Sequence, residues 1–370
     1  MNSFHRFSRI AFLLLVAGSG FVALHSLAET TPAGPYKIVA SAQLMGTGGI
    51  DYVYADSDGR RLYVPRGDEI LTFDLDTLKQ AASIPNTKAH GVAVDTNSHH
   101  GFASSNPVVM WDTKTLEMIK TIPVQGRPDG IFFEPETERV FVFSHSAPNA
   151  TVIDTKDGSI VGVIDLGGAP EQAASDGRGH LFVDIEDKGN VAVVDLKTLK
   201  VSAHYDLGGR NGPAGLALDT KNQVLFAFCR EPATAVMLNA GDGKILGTLP
   251  IGTVTDGGGF NPKTMEAFSS QRDGTLTIIK ENSPSSFAVE QTVPTMQGAK
   301  TCTLDPKTSQ IVLIAVERAP PPGSASSATP ASPNPATTAQ TGSSSPSPGG
   351  DRRKGGGGGP GLLHILVVGR

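Results

Sequence analysis

The stretch DSDGRRLYVPRGDEILTFDLDTLK, residues 56–79, carries the reading of the fold. It opens on Asp56 and the turn pair Asp58-Gly59, passes through the aromatic-led run Leu62-Tyr63-Val64, and reaches a second β-rich run that ends at Asp74. Runs of β-branched and aromatic residues bounded by Asp-Gly pairs are short strands joined by hairpin turns. The same phrases return about every 40 residues. The first landmark recurs as Asp56, Asp95, Glu134, Asp176, Asp219, Asn261 and Asp305, the second as Asp74, Asp112, Asp154, Asp195 and Asn239. Between them lies the aromatic strand, centred on Tyr63, Phe102, Phe141, Phe182, Phe226 and Phe268, with Ile314 in the seventh copy. A period of roughly 40–45 residues built from four short strands is that of a β-propeller blade. One such blade cannot bury both faces of its sheet, so the blades must stack around an axis. The expected fold is therefore all-β, a seven-bladed β-propeller of four-stranded antiparallel blades. We call the strands of each blade A to D, from the axis outward.

The seventh repeat is interrupted. Residues 319–360 are almost entirely Pro, Ser, Thr, Ala and Gly, apart from the charged knot Asp351-Arg352-Arg353-Lys354. Such a composition offers too little apolar surface to offset chain entropy, and disorder is expected there. The chain resumes at 361–370 with Leu362-Leu363-His364-Ile365-Leu366-Val367-Val368, a match to strand C. Blade seven then lacks strand D, and the unassigned β-rich run from Tyr36 to Leu44 supplies it, so the N-terminal strand closes the ring by joining the C-terminal blade. Closure of this kind removes edges that would otherwise pair between molecules.

Residues 1–28 have Arg6 and Arg9, the apolar run Ile10 to Val16, and the small residues Ser26 and Ala28 at the end. That is the pattern of a secretory signal peptide, and Gly18, Ser19 and Gly20 interrupt the run before it could span a bilayer. The propeller body is then 29–318, the location periplasmic or secreted, and no membrane span is expected after cleavage. The formal charge of −5 becomes −7 on removal of the leader, which carries two arginines and no acid. A negative surface repels phosphate backbones, which argues against nucleic-acid partners. The two cysteines, Cys229 and Cys302, fall in the fifth and seventh repeats. Those blades are not neighbours, and a disulfide needs Cα atoms within about 7 Å, so both read as unpaired.

The phrases RLYVPRG…ILTFDLDTLK and RVFVFSHS…TVIDTKDGSIVGVI resemble the YVTN-repeat, YncE-like β-propellers, over 36–316 and the last eight residues. The namesake motif survives as Tyr63-Val64-Pro65 and Phe141-Val142-Phe143-Ser144. The resemblance implies the propeller fold. Relatives of this shape include extracytoplasmic proteins of unassigned role, surface-layer components, propeller lactonases and propeller subunits of redox enzymes, so it implies a set of activities without selecting one.

Chemistry is expected where the loops entering strand A and linking B to C share one face. Five residues before each first landmark stand Asp51, His90, Asp129, Glu171, Ala214, Asp256 and Lys300. The ends of strand B add Arg66, Asn106, His145, Glu186, Arg230 and Arg272 to the same mouth. Three readings fit this ring. It is a solvated mouth in which Lys300 neutralises Asp256 and Asp51; or it holds a divalent metal on Asp51, His90, Asp129 and Glu171, mixed imidazole and carboxylate donors suiting Zn, Mn or Fe and the carboxylates alone suiting Ca; or it binds a small polar or cationic ligand or a protein partner, with Arg66, His145 and Arg230 contributing. His99 and His100 lie in a hairpin turn on the opposite face and read as solvated. The glycines of Asp256 to Phe260 are expected to let inner strands crowd the axis. No haem-attachment motif, nucleophile elbow or phosphate loop occurs, and the one tryptophan, Trp111, is too few for the docked blades of quinoprotein dehydrogenases. Binding without turnover by a monomer is the preferred reading, with a metal-dependent hydrolase of the propeller-lactonase type as the alternative. A divalent metal ion is the only cofactor suggested.

Overall fold

Seven four-stranded antiparallel sheets make up the computed structural model, which describes residues 1, 34–146, 149–318 and 359–370. The signal peptide expected over 1–28 and nearly all of the insert expected over 319–360 lie outside the described residues. In six blades the strands follow chain order from the axis outward, each paired with the next. Blade three is representative, with Pro128–Glu134, Arg139–Ser144, Asn149–Asp154 and Ile160–Asp165 as strands A to D. Blade seven is composite. Its strands A and B are Thr301–Asp305 and Gln310–Arg318, strand C is Gly361–Gly369, and strand D is Lys37–Gly46. Leu44 pairs with Leu363 and Ser41 with Leu366, so the two ends of the sequence meet in one sheet.

The repeating acids are turn acceptors. Backbone N–H groups two or three residues on donate to Asp56 (2.8 Å), Asp95 (2.9 Å), Glu134 (2.7 Å), Asp176 (2.7 Å), Asp219 (2.9 Å), Asn261 (3.0 Å) and Asp305 (3.2 Å). A side-chain oxygen that accepts from the backbone in this way fixes the hairpin between strands A and B. Several of these acids also staple one blade to the next. Thr155 of blade three donates to Asp95 of blade two at 2.7 Å, Ser175 of blade four to Glu134 of blade three at 2.9 Å, and Arg60 of blade one pairs with Asp305 of blade seven at 2.9 Å. His100 joins this set. Its Nδ1 lies 2.7 Å from the Thr155 carbonyl oxygen, so it is an interblade contact and not the solvated residue its turn position suggests.

The aromatic of strand B is buried in every blade that has one, and seven apolar clusters fill the seven spaces between neighbouring sheets. Tyr63 of blade one packs on Trp111 of blade two with ring centroids 5.9 Å apart. The cluster between blades seven and one unites Ile314, Leu363 and Ile365 with Leu62, Val64 and Phe73. Each large side chain so buried contributes about 1.5–3 kcal/mol, and the sum is available only when the circle is complete.

At the axis, neighbouring backbones come close. A Cβ on Gly130 would sit 2.6 Å from the Glu171 carbonyl oxygen. In Asp256 to Phe260 only Gly257 meets the next inner strand, at 3.2 Å from Cys302 N; Gly258 and Gly259 instead make room for the rings of Phe228 and Phe268. Both cysteines are buried and free.

Candidate functional site at the funnel mouth

Strand A starts at one end of the channel in every blade, and its first residues therefore share one mouth. Six of the seven positions in the expected ring carry ionisable groups, and they form a nearly continuous string of contacts. Arg230 pairs with both Glu186 and Asp256, and Asp256 pairs in turn with Lys300. Lys300 Nζ is 3.1 Å from Asp51 Oδ1, and Asp51 Oδ2 is 2.8 Å from His90 Nδ1. That same Nδ1 is 3.1 Å from Asp129 Oδ1, while Asp129 Oδ2 is 3.3 Å from His145 Nδ1. His145 Nε2 then lies 3.6 Å from Glu171 Oε1. Blade five offers only Ala214 at its ring position, and Arg230 from its strand B fills the gap.

The string divides by character. Blades five to seven supply two strong bases, which engage Glu186, Asp256 and Asp51. Blades one to four supply two imidazoles among Asp51, Asp129 and Glu171. Two groups there are compact enough to hold a metal ion, Asp51–His90–Asp129 and Asp129–His145–Glu171, with one ligand atom from each residue and all within 4.8 Å of one another. Burial pushes Asp51 up, but the hydrogen bond from His90 and the charge of Lys300 outweigh it and bring the carboxyl down to about 2. The hydrogen bond to Asp51 raises His90. Glu171 is raised to about 8, first by burial and then by the charges of Asp129 and Glu186. A half-mouth with three carboxylates and two imidazoles is a mixed oxygen and nitrogen donor set, of the kind taken by Zn, Mn or Fe.

Two residues that the ring pattern did not single out close the floor of the funnel. Tyr52 donates its hydroxyl to Glu171 Oε2 at 2.9 Å, reaching from blade one to blade four. Gln172 Oε1 accepts from Leu216 N at 3.0 Å and Gly258 N at 3.1 Å, crossing from blade four to blades five and six. Their position in the repeat is otherwise Gly91, Gly130, Gly215 and Gly257, with Thr301 in blade seven. Two long side chains in a column of glycines were the signal that could have found them. The phenol of Tyr52 is pushed well above its ordinary range by burial and by the surrounding carboxylates, so it acts as a donor.

Arg66 does not belong to the mouth. It is 3% exposed and donates to the carbonyl oxygens of Leu44 at 3.0 Å and Gly361 at 2.7 Å. Strand alternation sets the side from which a residue leaves the sheet, but the long guanidinium turns to two carbonyls of blade seven. Asn106 donates to the Gly126 carbonyl at 2.9 Å, tying its loop to the connection into blade three.

A closed ring of seven four-stranded blades around a capped, acidic funnel defines the class, a seven-bladed β-propeller scaffold. No protein-family model matches the chain. It is 22% identical over 215 residues to the uncharacterized protein YncE of Salmonella typhi, and equally to that of Salmonella typhimurium strain LT2. The match covers 56% of this chain and 57% of each relative, so little more than half of either length is compared. Among solved structures, U3-55K superposes with a TM-score of 0.66 at 11% identity, over 75% of this chain and 92% of that one. Hydrazine synthase of Kuenenia stuttgartiensis gives 0.63 at 16% identity, over 72% and 92%. At these identities the structures speak for the fold alone. Repeat and ring make the chain a seven-bladed β-propeller, similar in sequence to YncE over a little more than half of its length. Among the described residues no helix is long and apolar enough to cross a membrane.

Proposed function

We propose that this propeller is an exported binding protein that takes a divalent transition-metal ion at its funnel mouth, without turning over a substrate. The observation that carries the reading is the convergence on His90 Nδ1, which lies 2.8 Å from Asp51 Oδ2 and 3.1 Å from Asp129 Oδ1. One ligand atom from each of three successive blades thus lies within 4.8 Å of the others, close enough together to hold one ion. A cation there would sit among carboxylates beside Lys300 and Arg230, which are already engaged by Asp256, Glu186 and Asp51. Rigid propellers hold such ligands on different blades at fixed spacing, which favours binding over rearrangement. Export is supported by the leader-like residues 1–28.

The test is elemental analysis of protein purified without chelator, followed by Zn²⁺ and Mn²⁺ titration calorimetry. We expect a bound metal, and His90→Ala should weaken it at least tenfold while the melting curve stays cooperative. Failure of Zn²⁺ and Mn²⁺ to bind the wild-type protein would leave the mouth as a solvated charge network. Metal-dependent hydrolysis of lactones, lost with His90→Ala, would instead move the assignment to the hydrolase reading.

A further inference from the structure

We infer that the funnel mouth holds two metal ions, with Asp129 as the carboxylate that bridges them; this rests on the metal-binding reading above. The two oxygens of Asp129 face different histidines. Oδ1 is directed to His90 at 3.1 Å and Oδ2 to His145 at 3.3 Å. Each histidine is accompanied by a further carboxylate, Asp51 for His90 and Glu171 for His145, and each group of three is compact enough for one ion. Asp129 is the member common to both. A carboxylate placed between two such groups is how two-metal sites, with ions about 3.5–4 Å apart, are usually held.

The surroundings of His145 supply an independent reason. Its Nε2 lies 2.6 Å from the carbonyl oxygen of Pro170. A carbonyl oxygen can only accept, so that nitrogen carries the hydrogen. In the neutral ring Nδ1 then presents a lone pair, and it points at the Asp129 carboxylate. Two electron-rich atoms at that distance need a cation between them, whether a proton or a metal ion. Donation of the far N–H to a backbone carbonyl is the usual way a protein fixes the tautomer of a ligating histidine. Glu171 is oriented in the same manner, by the Tyr52 hydroxyl at 2.9 Å on its other oxygen. Lys300 pairs with Asp51 and Asp256, and Arg230 with Glu186 and Asp256. Glu171 is 3% exposed, so the second ion would lie deeper than the first, against the Tyr52 floor. His90, with half of its side chain exposed, leaves the first ion open to water or to an incoming ligand.

The full-length protein loaded with Mn²⁺ and desalted tests this by metal analysis and electron paramagnetic resonance. Two equivalents and an exchange-coupled spectrum are expected. Asp51→Asn should lose one equivalent and Glu171→Gln the other, each leaving an uncoupled six-line signal. Asp129→Asn should weaken both ions at least tenfold, with a thermal melt confirming that each variant is folded. Two equivalents without coupling would overturn the bridge. One equivalent that disappears with Asp51→Asn and is untouched by Glu171→Gln would overturn the second ion and leave the single-ion reading standing. No bound Mn²⁺ or Zn²⁺ would overturn both.

Discussion

Truncating Leu363 to alanine tests whether the ring is locked where the two ends of the sequence meet. Leu363 is fully buried on strand C of blade seven, opposite Leu44 of strand D, and packs against Leu62, Val64 and Phe73 of blade one. Leu→Ala at a site that cannot collapse costs about 2–5 kcal/mol, and the crowded wedge between two sheets argues for about 3. With an unfolding entropy near 2.1 cal/mol/K per residue over roughly 300 residues, that is a drop of about 5 °C in Tm. Met45 lies on the same strand pair, opposite Leu362, but is 63% exposed. Met45→Ala should therefore stay within about 1 °C of the parent. Melting would be followed by circular dichroism in buffer with chelator, so that ligand binding adds nothing to the stability. A Leu363→Ala protein that melts with the wild type, or a Met45→Ala protein that falls equally far, would refute the packing argument.

Other consequences concern buried titrating groups. In the unfolded chain Glu171 ionises near 4.5, whereas in the fold it holds its proton to about 8. Between those values the folded state binds more protons, so metal-free protein should lose stability as pH rises through the window, by a few kcal/mol at most. Glu171→Gln should flatten that slope in urea titrations at pH 5 and pH 8, and an unchanged slope would place the proton elsewhere. Burial pushes Cys229 up to about 12 and Cys302 to about 11. A thiol reagent at pH 8 should label neither in the native protein and both in urea; fast native labelling of one would mean that its blade opens.

The fold was legible because each blade repeats the same local chemistry. Asp56 and its six counterparts each bind a turn N–H, and the strand-B aromatic must be hidden in every copy that has one, so hydrophobic period and turn residues speak in unison seven times. The ring column was legible for a related reason: a constant offset from the turn places Asp51, His90, Asp129, Glu171, Asp256 and Lys300 at one end of the axis. What the repeat could not convey is how far a side chain reaches once it leaves its strand. Arg66 occupies the same strand end as His145 and Arg230, yet two carbonyls of blade seven draw it out of the mouth. Tyr52 and Gln172 do the opposite, crossing the channel because glycines at the matching positions leave it open. His100 was missed because its acceptor, the Thr155 carbonyl, belongs to the neighbouring blade.

Anomalous diffraction from crystals soaked in Zn²⁺ and recorded above the zinc edge would address the metal-binding claim most directly. The account predicts a peak at the funnel mouth within bonding distance of His90 Nδ1, with Asp51 and Asp129 closing on it, about 2.0–2.2 Å from each donor. A saturated crystal with no anomalous peak at the mouth, its Asp51–His90–Asp129 contacts unaltered, would contradict it.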